Sequence, residues 1–143
     1  MKINMDFADI EVAVDNLEGA ADAIRAGCMK GIANGLELVL GDATGLVPVD
    51  TGRLWGSLES RAEPTANGAT GSVSANTEYA LFVEMGTGAA GAASGGNDKA
   101  PGATYTMDHP GMEAQPFLYP AYKANQDNIV SCVEDAIGEA LGR

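Results

Sequence analysis

The sequence predicts an α+β domain in which a small antiparallel β-sheet packs against helices on one face. Three observations support this prediction. Apolar residues recur at steps of three and four between residues 10 and 39, the same helical period returns between residues 129 and 141, and short strand-like segments lie between the two. The length of 143 residues suits a single domain with one core. A long Gly/Ala-rich loop is expected before the C-terminal helix.

The long N-terminal helix is predicted over residues 9–42, which would make it roughly 50 Å long at about 1.5 Å per residue. Glycines within a helix each cost about 1 kcal/mol relative to alanine. This predicted helix contains Gly19, Gly27, Gly31 and Gly35. We therefore expect either a bend or break near residues 31–35, or the close approach of another backbone, for example from a neighbouring subunit. Gly41 and Gly45 are expected to end the helix before Pro48.

Two strands are predicted at residues 57–64 and 68–75, joined as a hairpin by the turn pair Asn67-Gly68. The bulkiest apolar cluster follows, and we expect it to lie in the core: Tyr79, Leu81, Phe82, Val83 and Met85. The C-terminal helix is predicted to carry one apolar face and one acidic face. Its apolar positions are Ile129, Val133, Ile137 and Leu141, and its acidic positions are Asp127, Glu134, Asp135 and Glu139.

Residues 86–115 contain hardly any bulky apolar side chain. A loop of this length is uncommon inside a compact domain unless it has a function or lacks order. We expect this segment to be mobile in the free protein and to become ordered on contact with a partner.

The charge balance argues against wrapping around nucleic acid. Twenty acidic residues face eight basic ones, which gives a net charge of −12, whereas phosphate binding requires lysines and arginines. An acidic wall would let DNA pass without adhering, and solubility alone is the other explanation of the charge. No apolar run approaches the ~20 residues that span a bilayer, so no membrane association is expected, and the N-terminal residues do not resemble a secretory signal.

Cofactors and metals are not predicted. Cys28 and Cys132 lie in apolar surroundings and are expected to be free thiols. His109 is the only histidine, so the chain offers too few nitrogen and sulfur ligands for a zinc site. A nucleophilic enzyme would also need a base next to its serine or cysteine.

The triplet Asp50-Thr51-Gly52 matches an aspartic-protease signature, but such enzymes need two carboxylates that share a proton. A dimer could supply the second triplet, although the long helix that precedes it here does not fit an almost all-β enzyme. We interpret the triplet as a structural corner that caps the following segment, which is a short helix or a strand. Arg53 is expected to pair with Glu84, either within the chain or across a subunit interface.

Three blocks carry a family resemblance: VPVDTGRLWGSL at residues 47–58, YALFVEMGT at residues 79–87 and QPFLYPAY at residues 115–122. In this order they resemble the neck, or head–tail joining, proteins of long-tailed phages, which include minor tail and tail-completion proteins. The family pattern is Pro-x-Asp-Thr-Gly-x-Leu followed by Ser, then Tyr-x-x-Phe/Val-x-Glu-x-Gly-Thr, then Pro-Phe-Leu-x-Pro-Ala. The resemblance covers most of the chain but departs from the family in the long glycine-rich loop.

The resemblance implies a non-enzymatic virion protein of the neck or tail. It would form a homo-oligomeric ring, with six copies expected, between the head connector and the tail tube, and DNA would pass through it. A tail terminator or tail-tube-end protein is the alternative, and a dimeric aspartic protease is a remote one. The residues expected to serve structure or interfaces are Asp50, Thr51, Gly52, Arg53, Trp55, Tyr79, Glu84, Gly86, Pro116, Phe117 and Pro120.

Asp50→Asn separates the protease from the structural corner. We expect no peptide cleavage by the wild-type protein at acid or neutral pH, and only weaker folding or assembly in the variant. A peptide-cleavage assay combined with a thermal melt measures both. Cleavage by the wild type that disappears in the variant would establish the protease instead.

Overall fold

The computed structural model describes residues 2–6, 20–48, 52–66, 68–94 and 105–142. Within these ranges the fold confirms the predicted α+β class, with a long N-terminal helix, a small antiparallel sheet and a C-terminal helix. The elements in chain order are β1 (Lys2–Asp6), α1 (Ala20–Leu46), β2 (Leu58–Thr65), β3 (Gly68–Ala75), α2 (Ala80–Met85), α3 (Gly88–Ala93) and α4 (Leu118–Ala140).

The sheet has the strand order β1-β3-β2, and both pairings are antiparallel. The predicted hairpin of β2 and β3 is confirmed, with Thr65 paired to Gly68; Asn67 in its connection lies outside the described residues. Strand β1 is not among the elements assigned from the sequence. Its five residues alternate between polar and apolar types, which is too short a pattern to identify a strand without its partner.

The central strand β3 consists of small residues, and this lets α1 lie directly on the sheet. A Cβ atom added to Gly71 would come within 2.6 Å of Cγ2 of Ile32 and 2.8 Å of Cδ1 of Leu36. Both of these α1 side chains are fully buried, as is Val73 of β3. Helix α1 packs over β2 and β3, so one face of the sheet is covered by the helix layer.

Helices α1 and α4 pack against each other along a row of glycines. A Cβ added to Gly27 would lie 2.9 Å from Cα of Ile137, and one added to Gly35 would lie 3.0 Å from Cα of Ile129. At Gly31, between them, the added atom would lie 2.8 Å from the carbonyl oxygen of Cys132. The close backbone is therefore that of α4 in the same chain, and spacings of four residues on both helices bring the two rows together.

The boundaries of α1 differ from the prediction. The helix is continuous through residues 31–35 and extends to Leu46, so the predicted break is absent, and Gly41 and Gly45 do not end it. Added Cβ atoms at these two glycines would meet nothing within 4 Å. The helix instead ends two residues before Pro48, whose preceding residue is disfavoured in helical conformation. Residues 9–19 of the predicted helix lie outside the described residues.

The core lies between α1, β3 and α4. Ile129 and Val133 are buried as predicted, whereas Leu141 is 37% exposed because α4 ends at Ala140 and Leu141 follows it. Cys28 and Cys132 are free thiols, as predicted. Burial raises the pKa of the Cys28 thiol. The largest fully buried side chains are Phe117, Ile32, Leu36, Leu118, Ile129, Val39, Val73, Val133 and Cys28.

Gly31→Ala should lower the free energy of unfolding by about 1–3 kcal/mol, because the added methyl group overpacks the contact with α4. Gly41→Ala in the same helix is the matched control, since its methyl group meets open space. It should raise the free energy of unfolding by about 0.5–1 kcal/mol through helix propensity alone. Urea titrations followed by circular dichroism measure both values, and equal effects of the two substitutions would contradict the close contact.

Candidate functional site

The three sequence blocks meet at an open groove with a volume of about 790 Å³. The first block contributes four of the lining residues and the second block three, while the third block contributes Gln115 and the glycine-rich segment Met112. The described residues that line the groove are Pro48, Gly52, Arg53, Leu54, Tyr79, Phe82, Val83, Met112 and Gln115.

The second and third blocks are joined by the carboxylate of Glu84. This side chain on α2 is only 2% exposed. Its oxygens accept hydrogen bonds from the backbone N–H groups of Phe117 at 2.8 Å, Leu118 at 2.9 Å and Tyr119 at 2.8 Å. These groups form the N-terminus of α4, where free N–H groups and the helix dipole favour a negative charge. Phe117, the N-cap residue itself, has no side-chain cap bond, so Glu84 caps α4 from another helix.

Within the chain, the predicted pairing of Arg53 with Glu84 is therefore wrong, while pairing of the two residues across a subunit interface stays a prediction. Arg53 Nη2 lies 2.9 Å from Oε2 of Glu78, and both side chains are largely exposed. The Arg53 guanidinium also lies 5.6 Å from the ring centroid of Tyr79. A hydrogen bond from its own backbone lowers the pKa of the Glu78 carboxyl, and the positive charge of Arg53 lowers it further. Arg53 thus belongs to the groove surface, whereas Glu84 belongs to the buried structure behind it.

The second and third blocks are also joined by backbone contacts. These contacts require a glycine at residue 86 and are compatible with the prolines at residues 116 and 120. The N–H of Gln115 donates to the carbonyl of Val83 at 2.8 Å. Gly86 has φ +74°, and an added Cβ would lie 2.6 Å from the backbone nitrogen of Ala114, so a larger residue would be strained there. Pro116 directly precedes Phe117, which is fully buried. Pro120 lies in the first turn of α4, where its missing N–H leaves no helix bond unmade.

The first block contains a turn of 3-10 helix at Trp55–Ser57, followed by β2. Both predicted alternatives for this segment are therefore partly correct. Gly52 has φ +78°, a left-handed conformation that glycine adopts without strain. Asp50 and Thr51 lie outside the described residues, and their capping role stays a prediction. Leu54 is buried but Trp55 is 52% exposed, because consecutive residues of a 3-10 turn project in different directions.

Helix α2 presents its bulky side chains to the surface. Phe82 is 53% exposed and Leu81 is 45% exposed, whereas Ala80 and Glu84 on the opposite side are buried. The prediction that this cluster lies in the core is therefore wrong for Leu81 and Phe82. Because α2 is a helix and not a strand, its buried positions are four residues apart, at Ala80 and Glu84, and Leu81 and Phe82 face away from them. Phe82 and the partly exposed Met112 instead give the groove an apolar surface.

The flanks of the glycine-rich segment make several contacts within the chain. Helix α3 lies inside the predicted loop, and an isolated bridge pairs Thr87 with Met112. The Tyr105 hydroxyl donates to the carbonyl of Met85 at 2.8 Å, and the N–H of Ala114 donates to Oγ of Ser94 at 2.9 Å. Residues 86–94 and 105–115 thus have partners within the chain, and the expectation that this segment is mobile until it contacts a partner protein stays a prediction. Residues 95–104 lie outside the described residues.

Acidic, histidine and cysteine side chains do not form any cluster of three or more that could hold a metal ion in the described ranges. Among the helices of the described residues, none is both long enough and apolar enough to cross a membrane. Neither a family model, nor a curated protein, nor a solved structure matches the chain.

Glu84→Gln should lower the free energy of unfolding by about 1.5–3 kcal/mol, the value of hydrogen bonds to a charged group. An amide offers one acceptor oxygen, and its NH₂ group would face backbone donors at the start of α4. Glu78→Gln removes an exposed carboxylate a few residues away and should leave the free energy of unfolding nearly unchanged. Denaturant titrations of the two variants test this difference. An unchanged stability of Glu84→Gln would contradict the cap.

Proposed function

We propose that the chain is a structural subunit of a ring in the neck of a tailed phage, between the head connector and the tail tube. Six copies are expected in the ring, adjacent connector and tail proteins would be its neighbours, and DNA would pass through it. The observation that carries this proposal is the meeting of the three resemblance blocks at one groove. The second block supplies the exposed aromatic side chain of Phe82, and the first supplies Arg53, two residue types that are enriched at protein interfaces.

The groove has the composition of a protein contact surface. Phe82 is more than half exposed, and the exposed Met112 also lines the groove. Interfaces are enriched in aromatic residues, methionine and arginine, and the groove also presents Tyr79 and Arg53. A cyclic ring forms through heterologous contacts, in which this surface on one copy would meet a different surface on the next.

The acidic face of α4 supports the passage of DNA. Asp127, Glu134, Asp135 and Glu139 are all exposed along this helix. Facing the lumen, these carboxylates would repel phosphates and keep DNA from adhering to the ring. No bound substrate and no catalytic group enter this proposal.

Phe82→Ser tests the groove as an assembly surface. The side chain is more than half exposed, so the substitution should leave the isolated fold intact while reducing incorporation into particles several-fold. Val130→Ser on α4 is the matched control, because Val130 is 45% exposed and does not line the groove. Quantitative immunoblots of purified particles and thermal melts of the isolated variants give the two measurements.

Imaging of particles that carry a labelled copy of the protein locates it. Density at the head–tail junction is expected, and density at the end of the tail tube would support the tail-terminator alternative instead. Absence of the protein from mature particles would overturn both. Equal incorporation of the Phe82 and Val130 variants would show that the groove is not the assembly surface.

A further inference from the structure

We propose that two copies of this chain associate by antiparallel pairing of their β1 strands, a contact distinct from those of the proposed ring. Strand β3 pairs with one side of β1, and no described strand pairs with its other side. An unpaired edge presents a row of backbone N–H and C=O groups to any extended chain that can match it. The question is therefore which chain fits this edge.

The sequence of β1 is complementary to itself. Its residues are Lys2, Ile3, Asn4, Met5 and Asp6. In antiparallel pairing centred on Asn4, Lys2 of each copy lies opposite Asp6 of the second copy, so the same favourable charge pair forms twice. Ile3 of each copy lies opposite Met5 of the second copy. Opposite charges and apolar residues in directly facing positions both stabilise such a pair.

The other edge of the sheet is less well suited to pairing with its own copy. Strand β2 is also paired on one side only among the described strands. Antiparallel pairing of two β2 strands centred on Arg61 would place Arg61 opposite Arg61 and Glu59 opposite Glu63, and like charges in facing positions disfavour pairing. A register centred on Ala62 would place Arg61 opposite Glu63, but it would also place Pro64, which lacks a backbone N–H, opposite Ser60.

The register of β1 makes the pairing compatible with the layers of the fold. Ile3 pairs with Val73, a fully buried residue on the face covered by α1, while Lys2 pairs with Ser74 on the polar face. Because residues that face each other across an antiparallel pair lie on the same side of a sheet, both copies would keep their apolar faces together. Helix α1 packs mainly over β2 and β3, which leaves the edge of β1 at the margin of the helix layer.

The contact has two-fold symmetry, so it gives a dimer rather than a ring. A strand of five residues buries little surface, and interfaces below about 1,200 Å² are typically weak or transient. We therefore expect dissociation in the range of about 10 µM to 1 mM. The absence of the protein from phage particles would leave this dimer unaffected, and the two proposals fail independently.

Charge exchange on β1 tests the register. Lys2→Asp alone and Asp6→Lys alone each replace two attractive pairs by two repulsive ones, and each should weaken dimerisation at least about tenfold. An equimolar mixture of the two single variants should recover a heterodimer, since an acidic strand then faces a basic one. The double variant Lys2→Asp/Asp6→Lys should dimerise as the wild type does. Sedimentation velocity across the stated concentration range gives the dissociation constants.

Lys123→Asp and Asp127→Lys provide matched controls, because both residues are exposed on α4 and the changes in net charge are the same. These controls should dimerise as the wild type does. Thermal melts check that each variant is folded. Recovery of a heterodimer in the equimolar mixture would also show that both single variants are still able to pair. A wild type that stays monomeric up to about 1 mM, or a dimer that the single reversals leave unchanged, overturns the proposal.

Discussion

The close approach of α1 and α4 is the constraint on which the rest of this structure depends. At Gly27, Gly31 and Gly35 the backbone of α4 lies so close to α1 that it occupies the space a methyl group on these residues would need. Interiors are packed to the density of organic crystals, so this contact fixes the position of α4 along α1 as well as its distance. Phe117 and Leu118, at the start of α4, are consequently held in the core.

The position of α4 in turn determines where Glu84 must lie. A buried helix start leaves backbone N–H groups without partners, and three of these are satisfied by one carboxylate from α2. Because that carboxylate belongs to a short helix, the cap also fixes the exposed Phe82 on the same helix and the half-buried Tyr79 at its start. The apolar groove is therefore a consequence of how α4 is capped, and its exposed side chains carry no part of the core.

In the sheet, the small residues of the central strand allow helix packing, and the charged residues of the two edge strands determine what can pair with those edges. The central strand β3 lets α1 approach through Gly71, while the charged residues lie on the flanking strands. Strand β2 carries charges and a proline, which are common on the edge strands of stable proteins. Strand β1 has a lysine at one end and an aspartate at the other, and this pattern underlies the proposed dimer.

The sequence by itself determined the α+β class, the β2–β3 hairpin and the buried positions Ile129 and Val133, because these follow from local period and turn chemistry. It also determined the free thiols, because both cysteines lie among apolar residues of helical segments. It also located the blocks that line the groove. Only the tertiary structure decided that the glycines of α1 face α4, that Glu84 caps α4 while Arg53 pairs with Glu78, and that Phe82 is exposed. Those outcomes depend on contacts between residues far apart in the chain, such as the 33 positions that separate Glu84 from Phe117. No local pattern encodes such contacts, since the same carboxylate would satisfy an arginine or a helix end equally well.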